Sequence, residues 1–124
     1  MHNEYTNALS ASSINGTDVV NTHGEDVGHI EDMMIDLSTG HILYAVLSFG
    51  GILGIGNKLF AVPFESFTID QKNERFILDV NKDRLKNAPG FDKDNWPETS
   101  NRDFQTQVYT YYSVDPYWDM TPVR

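Results

Sequence analysis

A small, mainly β domain is the fold class that this sequence predicts: a barrel of about five to six strands with a short helix and a C-terminal helix packed on it. Three observations between Val27 and Pro63 point there. Three runs rich in β-formers follow one another. A tight Ser38-Thr39-Gly40 turn joins two of them. A glycine-punctuated apolar loop, Gly50 to Gly56, follows the second. Runs of this length bounded by turn residues are the signature of strands.

The elements follow in order. Residues 1–10 are polar and unpatterned, as a loose tail would be. Residues 11–30 hold short apolar pieces, Ile14, Val19-Val20 and Val27 to Ile30, separated by the Asn15-Gly16 and His23-Gly24 turn pairs. They read as a first strand, a bend and a second strand. From Met33 to Leu37 the alternation places Met33, Ile35 and Leu37 on one face and Asp36 on the other. Ser38-Thr39-Gly40 then closes a hairpin, Gly40 suiting a left-handed backbone position.

The return strand, His41 to Phe49, is apolar on both faces. Leu43, Ala45, Leu47 and Phe49 line one side; Ile42, Tyr44 and Val46 line the other. A strand of this kind needs cover on its outer face from a helix, a loop or another subunit. Lys58 to Phe64 forms the next strand, with Pro63 marking an edge or a bulge. Phe67 to Asp70 and Arg75 to Val80 flank the polar turn 71–74 as a second hairpin.

Beyond Asp79 the pattern changes. Asn81 can cap a short helix through Leu85 and Ala88, stopped by Pro89-Gly90. Asp92 to Glu98 reads as an ordered loop around Trp96-Pro97. Ser100 and Asp103 resemble a capping box, with Asp in place of Glu. Phe104, Val108, Tyr111 and Tyr112 then form one helical stripe, which predicts a helix laid over the doubly apolar strand. The expected organisation is therefore a tail (1–10), a barrel (11–82), a helical extension (83–114) and an irregular end (115–124).

At 124 residues the chain suits one domain with one core. Nine basic residues against eighteen acidic ones give a net charge of −9. That balance repels phosphate backbones and anionic headgroups, so no nucleic-acid partner is expected. The absence of cysteine removes disulfides, thiolate metal sites and a cysteine nucleophile. The start lacks a basic flank and an apolar run, and Ile42 to Ile55 is too short and too interrupted to span a bilayer. No membrane insertion is expected, and the expected compartment is the cytoplasm.

The order Gly24, Val27-Gly28, Ile30, Asp32, Asp36, Gly40, Ile42, Tyr44-Ala45-Val46, Phe49-Gly50-Gly51 and Leu59-Phe60-Ala61-Val62-Pro63 resembles the PRC-barrel family. The resemblance spans roughly residues 10–82. The family is named after the cytoplasmic domain of the photosynthetic reaction-centre H subunit. It includes the C-terminal barrel of a bacterial ribosome maturation factor and free-standing small proteins, and this chain looks like one of the latter. The resemblance implies a non-enzymatic barrel that docks on larger assemblies. The chain shows neither the transmembrane helix of the first relative nor the RNA-associated domain of the second, so neither particular role carries over.

Chemistry-bearing patterns are sparse. The loop Gly50 to Lys58 fails as a phosphate cradle, because Asn57 separates Gly56 from Lys58 and a strand follows where a helix is needed. The serines show no nucleophile elbow. Asp32 and Asp36, four apart on a strand, would lie about 13 Å apart, beyond a shared proton. His2, His23, His29 and His41 have no tight metal-ligand spacing. His41 with Asp36, or His29 with Glu31 or Asp32, could still offer nitrogen and oxygen donors.

The favoured expectation is a non-enzymatic module for protein–protein interaction or self-association, with no cofactor. Its surface would comprise Ile42, Tyr44 and Val46, the loop residues Ile52, Leu53 and Ile55, and the helical aromatics Tyr111 and Tyr112. The aliphatic loop residues are expensive to leave in water, roughly 1.5–3 kcal/mol each. The alternative is a binding module for a small ligand or divalent cation near Asp32, Asp36 and His41. The aromatics Trp96, Tyr109, Tyr117 and Trp118 would close a core or an interface.

Overall fold

The computed structural model describes residues 8–49 and 58–119. Ile52, Leu53 and Ile55 lie outside the described residues, as does the tail up to residue 7. Among these residues twelve elements follow one another: α1 (Ala11–Ile14), β1 (Asp18–Val20), β2 (Asp26–Ile35), β3 (Ile42–Ser48), β4 (Lys58–Val62), a 3-10 turn (Phe64–Ser66), β5 (Phe67–Asp70), β6 (Arg75–Leu78), α2 (Lys82–Lys86), β7 (Gly90–Asp92), α3 (Arg102–Tyr111) and a 3-10 turn (Tyr117–Asp119).

The seven strands form one sheet in the order β5-β6-β1-β2-β3-β4-β7. The β1–β6 pair is parallel and the other five are antiparallel. Among the described residues the ladder is open, running from a β5 edge to a β7 edge. The sheet nevertheless curls around one interior. Phe64, two residues past β4, packs edge-on to Phe76 of β6 with ring centroids 5.9 Å apart, although three strands separate β4 from β6 in the sheet. Val19, Val27, Ile30, Ala45, Leu47, Phe49, Phe60, Val62 and Phe76 fill that interior together with Ile14 of α1 and Leu85 of α2. A second layer lies outside β3 and β4, where α3 packs on Leu43, Tyr44, Val46, Leu59 and Ala61.

Three ladder irregularities aim the side chains. Val27 is the extra residue between the pairs Val19↔Gly28 and Val20↔Asp26. Glu31 is extra between Ile30↔Leu47 and Asp32↔Val46, so Glu31 and Asp32 are both exposed while Ile30 and Met33 turn inward. Leu43 is extra between Met34↔Tyr44 and Ile35↔Ile42. This last bulge corrects the simple alternation. Leu43 joins Tyr44 and Val46 in the outer layer instead of Ala45 and Leu47 in the interior. Gly28 is obligatory in this frame. Its φ is +114°, and a Cβ there would come within 2.0 Å of the Ser48 carbonyl oxygen.

Several local expectations agree with the structure. Asn81 caps α2, its Oδ1 accepting from the Arg84 amide at 2.7 Å. Gly40 adopts φ +81° in the hairpin turn, and its amide donates to the Asp36 carbonyl at 2.7 Å. Others are corrected. Ile14 belongs to the helical turn α1, because the Ser10 hydroxyl accepts from the Ser13 amide and starts a helix. β4 ends at Val62, and Pro63 opens the 3-10 turn rather than marking a sheet edge. The extension is not wholly helical, since Gly90–Asp92 adds a strand to β4. Asn101, not Ser100, caps α3 by accepting from the Phe104 amide at 3.0 Å. The segment after α3 is organised as well: Tyr117–Asp119 is a helical turn folded back on the β2–β3 hairpin.

Candidate binding cleft at the β2–β3 hairpin

The outer layer decides which part of the expected surface is open. Tyr44 is 4 % exposed and Val46 is wholly buried, both against α3. Val46 therefore serves the chain's own packing, which corrects its assignment to an interface, and Tyr44 keeps only a narrow edge at the hairpin cleft. Ile42, at the start of β3, is half-buried. Tyr111 and Tyr112 are also half-buried and pack against the interior cluster. Tyr111 and Arg84 lock together: the Tyr111 hydroxyl donates to the Arg84 carbonyl at 2.5 Å, and the guanidinium lies 4.3 Å over the ring while donating to the Tyr111 carbonyl.

The side chain central to this layer is Tyr109. It is fully buried, and its hydroxyl donates at 2.6 Å to the carbonyl of Leu43, the extra residue at the bulge. Burial pushes the Tyr109 hydroxyl well above the ordinary tyrosine pKa. Buried Gln105 sits one turn earlier, its amide donating to the Thr99 carbonyl at 3.1 Å. The buried face of α3 is thus Gln105, Val108 and Tyr109, with Phe104 and Tyr112 at its margins. A stripe read only from apolar residues is rotated relative to this face, because Gln105 carries no hydrophobic signal.

Past α3, Trp118 packs edge-on to Tyr109 with ring centroids 4.8 Å apart, and the Arg102 guanidinium lies 4.2 Å over the Trp118 ring. Tyr117 stacks flat on His41, centroids 4.1 Å apart and planes 10° off parallel. Its hydroxyl donates to Asp36 Oδ2 at 2.5 Å. Asp36 Oδ1 accepts from the Ser38 amide at 3.0 Å and the Ser38 hydroxyl at 2.7 Å. The Tyr117 and Ser38 donors hold the Asp36 carboxyl down at about 2. Burial, and then the bond to Asp36, push Tyr117 up to about 12.

The clasp leaves a cleft of about 340 Å³ beside it. Residues 34–38 of the hairpin with Leu43 and Tyr44 form one wall; Thr99, Ser100, Arg102 and Gln105 form the other. Leu37 stands on its rim at 95 % exposure, and Ile35 beside it is 48 % exposed. Neither joins the shared apolar face expected with Met33, because β2 ends at Ile35 and the chain then turns away from the core.

The remaining candidates are dispersed. His23 lies in the β1–β2 turn, where its amide donates to Asn21 Oδ1 at 3.0 Å. His29 faces Glu31 at 3.3 Å. Asp32 Oδ1 accepts from the adjacent Met33 amide at 2.8 Å. Asp36 and His41 do come together, but through Tyr117 rather than around a common point. Among the described residues, no group of three or more His, Asp or Glu side chains is placed to hold a metal ion. No described helix is long and apolar enough to cross a membrane.

A curled seven-stranded sheet around one core, backed by a helix and lacking a cluster of reactive side chains in its cleft, defines a small barrel domain. The sequence model of the PRC-barrel domain matches residues 6–85, more than half of the chain. The chain belongs to the PRC-barrel domain family. Comparison with curated proteins found none that matches. The matched region ends within α2, so β7, α3 and Tyr117 lie beyond it.

Proposed function

We propose that this chain is a non-catalytic interaction module, binding another protein or a second copy of itself at the rim and floor of the hairpin cleft. One observation carries the reading. Leu37 is held out in water at 95 % exposure on a turn fixed from both sides, by the Ser38 bonds to Asp36 and by the Tyr117 clasp. A mobile tip could fold an apolar side chain away; this one presents it. Covering a leucine contributes about 1.5–3 kcal/mol, and Ile35 adds to the same patch. Isolated surface leucines are common, but here the leucine adjoins a formed cleft.

A photo-crosslinking residue placed at Leu37, with a control at exposed Ile69 on β5, tests the reading in native extract and with purified protein. The expected result is a discrete crosslinked species at position 37 and none at 69. Sedimentation across a concentration series then separates a self-complex from a foreign partner. Equal, diffuse labelling at both positions would overturn the proposal.

A further inference from the structure

Resting on the reading of the cleft as a docking surface, we infer that its occupant is an extended segment of a different protein, with a large aliphatic side chain beside a lysine or arginine. Shape and charge each supply part of the argument. The cleft's about 340 Å³ opens between Ile35 and Leu43 on the hairpin wall and the small hydroxyl residues Thr99 and Ser100 on the opposite wall. Such a slot admits an aliphatic side chain against the hairpin while leaving polar atoms to meet a peptide backbone.

Asp36 marks where the cation goes. A carboxylate offers about four acceptor sites. The Ser38 amide, the Ser38 hydroxyl and the Tyr117 hydroxyl donate to Asp36 within the chain, and the Thr39 hydroxyl also acts on it. These neutral donors set the position of the carboxylate before any partner arrives. All of these donors are neutral groups, so the negative charge itself has no cationic neighbour among them. Arg102, the cation on the opposite wall, is stacked on Trp118 at 4.2 Å. Preorganised charge of this kind favours a lysine or arginine, whose pairing with a carboxylate is charge-assisted.

Long-range charge selects against a second copy. The chain carries a net charge of −9, so two copies repel as they approach, whereas a basic segment is drawn in.

Fluorescence anisotropy at low salt with three short labelled peptides tests this. One alternates leucine and lysine between glycine and serine spacers. The second replaces lysine with glutamate, and the third replaces leucine with alanine. The leucine–lysine peptide is expected to bind roughly tenfold more tightly than either of the others, and to weaken as salt is added. Asp36→Asn should abolish the lysine-over-glutamate preference, while Ile35→Ser should abolish the leucine-over-alanine preference; melting curves confirm that both variants fold. Equal binding of the lysine and glutamate peptides, no binding of any peptide, or a preference unchanged in Asp36→Asn would each overturn the inference. A dimer lost in Leu37→Ser would also overturn it, in favour of self-association. Crosslinking at position 37 without the peptide preference would sink only the partner's chemistry. Absence of crosslinking at position 37 sinks the docking reading itself.

Discussion

The two faces of β3 are closed by different chemistry. Inside the curled sheet Ala45, Leu47 and Phe49 meet Val27, Ile30 and Phe60, with no buried side-chain hydrogen bond required. Outside, Tyr44 and Val46 meet a helix whose central residue, Tyr109, donates to the Leu43 carbonyl, while Tyr117 reaches Asp36 on the hairpin. The interior lies almost wholly within the matched region; the outer layer joins strand residues inside it to Phe91, α3 and the Tyr117–Trp118 side chains beyond it. The difference teaches that apolar packing suffices where strands supply their own partners. At the Leu43 bulge a polar aromatic hydrogen-bonds the strand backbone as well as packing on it.

Truncation should cost both faces heavily and through the same mechanism. Phe60→Ala in the interior and Tyr109→Ala in the outer layer each remove a fully buried ring. Each is expected to lose about 3–5 kcal/mol in chemical denaturation. A loss much smaller at Tyr109 than at Phe60 would show that α3 is loosely attached rather than part of one cooperative core.

Removing only the hydroxyl isolates what distinguishes the outer face. Tyr109→Phe leaves the Leu43 carbonyl without its buried donor and is expected to cost about 1–3 kcal/mol. An unchanged midpoint would mean that water or relaxation replaces that bond.

The clasp provides the smallest effect and one of defined sign. The Asp36 carboxyl is lowered from 3.8 to about 2 by the Tyr117 and Ser38 donors, so its contribution is complete above pH 3.8 and fades as pH falls towards 2. At the other end, Tyr117 is raised from 10.0 to about 12, so clasp stability declines as pH rises from 10 to 12. Trp118 emission in a Trp96→Phe background should accordingly be flat between pH 5 and 8 and change in both outer windows. In Asp36→Asn the acid-side change should vanish. A transition centred near neutral pH would contradict the assignment.

Much of the barrel was legible because its signals are local. The Ser38-Thr39-Gly40 turn, the two apolar faces of β3 and the Asn81 cap each follow from a few adjacent residues. The outer layer was less so. Gly90–Asp92 is too short to show a period, and it pairs only because β4 offers an open edge. The phase of α3 depends on Gln105, a polar residue buried by its bond to Thr99, which an apolar stripe cannot reveal. The bulges at Glu31 and Leu43 arise from strand pairing rather than composition, yet they decide which side chains reach the cleft. The hairpin rim was visible as sequence, but its exposure was not. Ile35 and Leu37 looked like continuations of the Met33 face until the strand's end turned them into water.

The central claim is that Leu37 serves a partner and not the fold. Leu37→Ser, followed in one preparation by thermal melting and by retention of the species crosslinked at the hairpin, tests it most directly. The account predicts stability within about 0.5 kcal/mol of the parent, as for an exposed position, with loss of the bound species. A variant that keeps its partner, or one that loses stability by as much as a core truncation, would contradict it.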